Sequence, residues 1–192
     1  MGVLRGTRSH LPRGDHGQSL VEFALFAPLF FFLVLGAADF ARVFYYNIAI
    51  TNIAREGARH GAYFDPNTGG NTYATASGIM TAVNNEASYV GASNLTEQSS
   101  PGTAGTCPTV TDSNTHHMPP YDSGQWPTAD NTGYVYICFN DADTNATVAA
   151  GQPLRVTILY TFTPMTPVIW NFLGNNGRLH VTGTAEFLTE GL

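Results

Sequence analysis

The stretch GQSLVEFALFAPLFFFLVLGAADF, residues 17–40, decides how this chain is read. From Phe23 to Ala38 no residue carries a charge. At about 1.5 Å per helical residue that run spans roughly 24 Å, just short of a hydrocarbon core of about 30 Å. Counting from Leu20 brings the length into range, provided that Glu22, near the start of the run, is neutralised or paired. A carboxylate at the centre of a membrane helix costs about 2.5 to 3.5 kcal/mol on insertion scales, so Glu22 calls for a partner or a place near the interface. Pro28 removes one helical hydrogen bond and predicts a kink.

The flanks give the run a direction. Arg5, Arg8 and Arg13 precede it against a single acid, Asp15, which by the positive-inside rule puts residues 1–17 in the cytoplasm and the C-terminal part outside. Only 11% of the residues are charged and 43% are hydrophobic, so part of the chain lies out of water. There is no lysine, and from Asp65 onward two arginines face ten acids, a formal charge of −8 that argues against nucleic acid as a partner. A length of 192 residues suits an anchor and one modest domain. The expected organisation is a basic leader (1–17), a transmembrane helix (18–38), an extracytoplasmic continuation of that helix (39–63) and an outer domain (64–192).

The helical pattern does not stop at Ala38. In FARVFYYNIAITNIAREGARHGA, residues 40–62, Phe40, Val43, Phe44, Asn47, Thr51, Ala54 and Ala58 recur at three- and four-residue intervals, predicting an amphipathic helix. Its small residues (Ala41, Ala49, Ala54, Gly57, Ala58, Gly61) would let another element approach closely, and Arg55, Glu56 and Arg59 supply a wet face. Joined to the span, this helix runs about forty residues, or on the order of 60 Å.

Beyond a turn-rich break at residues 65–72, Ile79, Met80, Val83 and Ala87 predict a second helix near 73–90. Residues 91–131, rich in Ser, Thr, Gly, Pro and Asn, read as a long loop. Three runs, 132–140, 153–162 and 178–189, are rich in β-branched and aromatic residues and predict an antiparallel sheet. In the second of them Val156, Ile158, Tyr160 and Phe162 alternate with Arg155, Thr157, Leu159 and Thr161, placing one apolar face toward a core that the helix from Phe40 to Ala62 would cover. The fold class is α+β: a long N-terminal transmembrane helix packed on a small antiparallel sheet with one short extra helix.

Cys107 and Cys138 lie on the far side of the apolar run from the arginines. Outside the cytoplasm their natural state is one disulfide, closing a loop of about 30 residues and contributing on the order of 3 to 4 kcal/mol in the chain-entropy account. His116 and His117, with Asp112 and Asp122 near, are expected to be solvated loop residues, so no metal site is expected. The run DADTN (141–145) opens like a calcium loop, but Ala146 replaces the turn glycine and Gln152 the bidentate glutamate, so a strand-connecting turn is the expectation. The chain has no G-x-S-x-G, no H-E-x-x-H, no C-x-x-C and no phosphate-binding glycine loop. Neither an enzyme nor a cofactor is expected.

A basic leader, then Gly17, then Gln18-Ser19-Leu20-Val21-Glu22-Phe23 at the head of an apolar helix resembles a type IV pilin-like precursor. The longer run from Val21 to Tyr63, with AREGARHGA at 54–62 carrying most of the specificity, resembles the TadE-like family of tight-adherence pilus proteins, and the tail from about 153 to 190 resembles it loosely. The resemblance implies cleavage between Gly17 and Gln18 by a prepilin peptidase. It also implies that Glu22, five residues into the mature chain, pairs with the new N-terminal amine of a neighbouring subunit. It further implies a role as a pseudopilin or minor pilin in assembly of thin Flp-type pili, at the inner membrane, with other pilins and the pilus secretion machinery as partners. Two other readings fit the same residues. One is a membrane-anchored extracytoplasmic binding module that never polymerises, with Glu22 snorkelling at the headgroups. The other is a secreted protein cleaved after Ala38, with Gly36, Ala37 and Ala38 as the small-residue site.

Overall fold

The computed structural model describes residues 16–67, 75–92, 94–98, 108, 121, 123–139, 151–166 and 177–190. The chain divides into two compact units, Met1–Ala38 and Asp39–Leu192. Helix α1, His16–Ala62, contributes residues to both and runs without interruption through Pro28. In the first unit the side chains from Gly17 onward are almost all exposed, Phe and Leu included. None of the most apolar eighteen-residue window of the helix is buried. A helix this long and this apolar, with no protein covering it, can serve as a membrane anchor.

In the second unit, residues 39–62 of α1 and helix α2 (Ala76–Val90) pack on a sheet of four strands: β1 (Leu95–Glu97), β2 (Thr132–Phe139), β3 (Pro153–Phe162) and β4 (Leu179–Leu188). Their order in the sheet is β1-β2-β3-β4. The three longer strands are antiparallel, with Val135 opposite Ile158 and Ile158 opposite Gly183. This is the α+β arrangement that the sequence predicts. Thr75 caps α2 by accepting the Gly78 N–H at 3.1 Å, and Gly91, in the left-handed region at φ 73°, ends it.

Three expectations are corrected. The loop predicted over 91–131 contains β1, which pairs parallel to β2, so the sheet is mixed rather than antiparallel. Its three residues hold a single buried side chain, Leu95, too short a run for alternation to register. The sheet also has two covered faces, where the pattern of β3 suggested one. Leu154, Val156, Ile158, Tyr160 and Phe162 meet the helices, while Leu159 on the other side joins Trp126, Tyr136 and Cys138. That second layer is held by the Tyr136 hydroxyl donating to the Gln125 carbonyl at 2.7 Å and by the Thr161 hydroxyl donating to the Pro127 carbonyl at 3.0 Å. The 3-10 turn Ser123–Gln125 therefore packs as part of the domain.

The third correction concerns the buried face of α1. Phe40 and Phe44 point away from the core, stacked edge to face at 4.7 Å and exposed. The face that packs runs through Asp39, Val43, Tyr46, Ile50, Ile53, Ala54, Gly57, Ala58 and Gly61. The packing is closest further along the helix. An added Cβ at Gly183 would lie 2.5 Å from the Ile50 carbonyl oxygen, so at mid-helix the strand touches helix backbone and no Phe fits between them. At Gly57 and Gly61 a Cβ would meet Val83 at 2.6 Å and Leu154 at 2.5 Å. The two glycines of AREGARHGA thus let α2 and β3 close against α1.

Candidate functional site

Gly17 is exposed, and an added Cβ there would meet nothing within 4 Å. One helical turn on, Glu22 leans back: its Oε1 accepts from the Gln18 amide nitrogen at 3.1 Å. The i, i+4 geometry brings the carboxylate to the level of residue 18, the place where an amine would arise if the chain were cut after Gly17. Among the described residues, Gln18 is the donor that reaches Glu22. These three positions, Gly17, Gln18 and Glu22, form one exposed constellation at the front of the apolar run.

At the other end of the run stands an acid that the sequence reading assigned no role. Asp39 is 4% exposed, and each of its oxygens is engaged. Oδ1 accepts the Met165 N–H at 2.9 Å and Oδ2 the Thr166 N–H at 2.8 Å, while Arg42 reaches Oδ1 at 3.2 Å. Burial alone raises the pKa of this carboxyl, but the Thr166 side chain, the two backbone N–H groups and Arg42 outweigh it and hold it below the usual carboxylate range. Arg42 in turn lies over the Phe162 ring, 5.0 Å from its centroid. A signal for this clamp was present in the sequence. Asp39 falls in helical register with Val43, Tyr46 and Ile50, so a charged residue sits on a face that must be buried.

The far end of this helix is tied as well, since Glu190 N–H donates to the Ala62 carbonyl at 2.9 Å. Residues 39–62 are therefore held at both ends to the loops and strands of their own unit.

Residues 17–59 match the family described as TadE-like protein. That is the family the sequence resembles, and the TadE-like segment holds Gly17, Glu22, the apolar run, Asp39 and Gly57. The match together with the apolar helix fits a membrane protein related to the Tad pilus. No curated protein and no solved structure matches the chain. The sheet and α2 lie outside the TadE-like match.

Cys138 is buried on β2 beside Trp126, Tyr136 and Leu159. Cys107, its expected partner, lies outside the described residues, as do His116, His117, Asp112, Asp122, the run 141–145 and Ala146. Among the described residues, no group of three or more His, Cys, Asp or Glu is placed to hold a metal ion.

Proposed function

We propose that this chain is a non-catalytic, single-pass TadE-like pseudopilin or minor pilin that takes part in assembly of Flp/Tad-type pili. In this reading a prepilin peptidase cuts between Gly17 and Gln18, residues 18–38 anchor the chain in the inner membrane with the N-terminus inside, and Glu22 pairs with the new amine of an adjoining subunit. Its partners are other pilins and the pilus secretion machinery. The observation that carries it is the coincidence, within one family match, of an exposed glycine, a carboxylate one turn beyond it and an uncovered apolar helix.

The alternative of release after Ala38 meets a physical objection. It would create an ammonium at Asp39, inside a helix and beside amide N–H groups already committed to that carboxylate. Intact mass of the protein isolated from its native host is the test. A chain starting at Gln18 supports the proposal, one starting at Asp39 makes it a secreted protein, and one starting at Met1 leaves a tethered domain without a pilin-like N-terminus.

A further inference from the structure

We propose that the loop following β3, Pro164–Thr166, lies in the headgroup layer of the bilayer at the C-terminal end of the span, with Met165, Phe40 and Phe44 against lipid. The inference rests on reading residues 18–38 as a membrane anchor and goes beyond it, because it gives the globular unit its own contact with the membrane.

The argument is one of distance along the chain. Leu20 to Ala38 spans about 28 Å as helix, close to the thickness of a hydrocarbon core, so Asp39 falls at its edge. A carboxylate at that depth is stable only when its oxygens are satisfied, and here Met165 and Thr166 satisfy them at 2.9 and 2.8 Å. Two hydrogen bonds of that length hold residues 165 and 166 beside residue 39, within a few ångströms of its depth.

What the clamp presents at that level is apolar. Met165 is 74% exposed, Phe40 65% and Phe44 55%, and no residue of 163–166 is charged. Phe40 and Phe44 lie on one stripe of α1, about 100° around the helix from Asp39, and follow the apolar run directly in sequence. Arg42, ion-paired with Asp39 at 3.2 Å and 31% exposed along its side chain, has the amphipathic build suited to a membrane–water boundary.

The test uses the full chain in vesicles of phosphatidylcholine and phosphatidylglycerol carrying doxyl-labelled lipid, with an environment-sensitive fluorophore on Met165→Cys. Phe40→Cys and Glu190→Cys are read in parallel, and the labelled parent chain serves as the blank. Residue 190 bonds to Ala62, about 35 Å further along the helix than Asp39, so the label at 165 should be quenched at least about twofold more than the label at 190. Asp39→Ala should lower quenching at 165 and leave it unchanged at 40. Equal, low quenching at 165 and 190 in protein that floats with the vesicles overturns the inference and leaves the anchor standing. Quenching at 165 that survives Asp39→Ala overturns the clamp as its cause. Protein that does not float with the vesicles overturns the anchor and this inference together.

Discussion

Gly183→Ala tests whether contact between strand and helix backbone sets the packing of this domain. Gly183 sits midway along the edge strand β4, opposite Ile158, on the face that meets α1. An added methyl would lie 2.5 Å from the Ile50 oxygen, 2.6 Å from its carbonyl carbon and 2.7 Å from the Thr51 nitrogen, all of them backbone. Ordinary contact begins near 3.4 Å, so helix or strand must withdraw by about 0.9 Å. A gap of about 0.5 to 1 Å forfeits a quarter to a half of each dispersion contact, and Ile50, Ile53 and Ala54 would share that loss. Overpacking of this kind costs about 1 to 3 kcal/mol, occasionally more, and with no flexible atom to move the upper end is expected.

Gly57→Ala is the matched control. Its new methyl would meet one side-chain atom, a Val83 methyl at 2.6 Å, rather than three backbone atoms, so the clash is milder, and alanine regains roughly 1 kcal/mol of helix propensity over glycine. Thermal unfolding of the full chain in detergent micelles, followed by circular dichroism, should show Gly183→Ala melting about 6 to 12 °C below wild type, at about 2 to 4 °C per kcal/mol for a chain of this size. Gly57→Ala should stay within about 4 °C of wild type, equivalent to roughly 1 kcal/mol. A Gly183→Ala melt coincident with wild type, or a larger loss for Gly57→Ala, would refute the reasoning.

Three further outcomes are expected. If Cys107 and Cys138 are bridged, reduction should lower stability by about 3.7 kcal/mol, the chain-entropy value for a loop of about 32 residues, and denaturant midpoints with and without reductant measure it. Asp39 has a depressed pKa, so its stabilisation is fully present above the ordinary carboxylate range and is lost as pH falls through the native value. The gap in melting temperature between wild type and Asp39→Asn should therefore hold from pH 7 to about 5 and narrow below about pH 4, and a gap that widens on acidification contradicts the assignment. Glu22→Ala should abolish or sharply reduce piliation in the native host while the protein still fractionates with membranes, and undiminished pili would favour the non-polymerising anchor.

The long strands and both helices were legible because their periodicities are long and clean. In β3, Val156, Ile158, Tyr160 and Phe162 alternate over ten residues, and the observed bounds, Pro153–Phe162, are those that the sequence suggests. Strand β1 was not legible, since three residues with one buried side chain leave no period to detect. The face of α1 was misread because two apolar stripes share the helix, Phe40 and Phe44 on one and Val43, Tyr46, Ile50 and Ile53 on the other, and bulk favours the wrong one. What separates them lies far away in the chain: the face that packs meets Tyr160 and Phe162 on β3 and Gly183 on β4. The second face of the sheet was missed for a related reason: Thr157 and Thr161 read as polar and solvent-facing, yet Thr161 is buried, with its hydroxyl donating to Pro127.

The two acids that bracket the apolar run carry the same chemical problem with different solutions, and the contrast bears on function. Asp39 is answered within its own domain by two backbone N–H groups, Thr166 and Arg42, leaving it no capacity for an outside partner. Glu22 is met among the described residues by the neutral Gln18 amide at 3.1 Å and stays exposed, with lone pairs to spare. A carboxylate in that state, at the head of an uncovered apolar helix, is stabilised most by a cation from another chain, since hydrogen bonds between charged groups exceed neutral ones roughly twofold in strength. The amine that cleavage after Gly17 would expose has the required charge and lies at the level toward which Glu22 already leans. This difference between a satisfied acid and an available one supports the proposal that Glu22, and not Asp39, pairs with a neighbouring subunit.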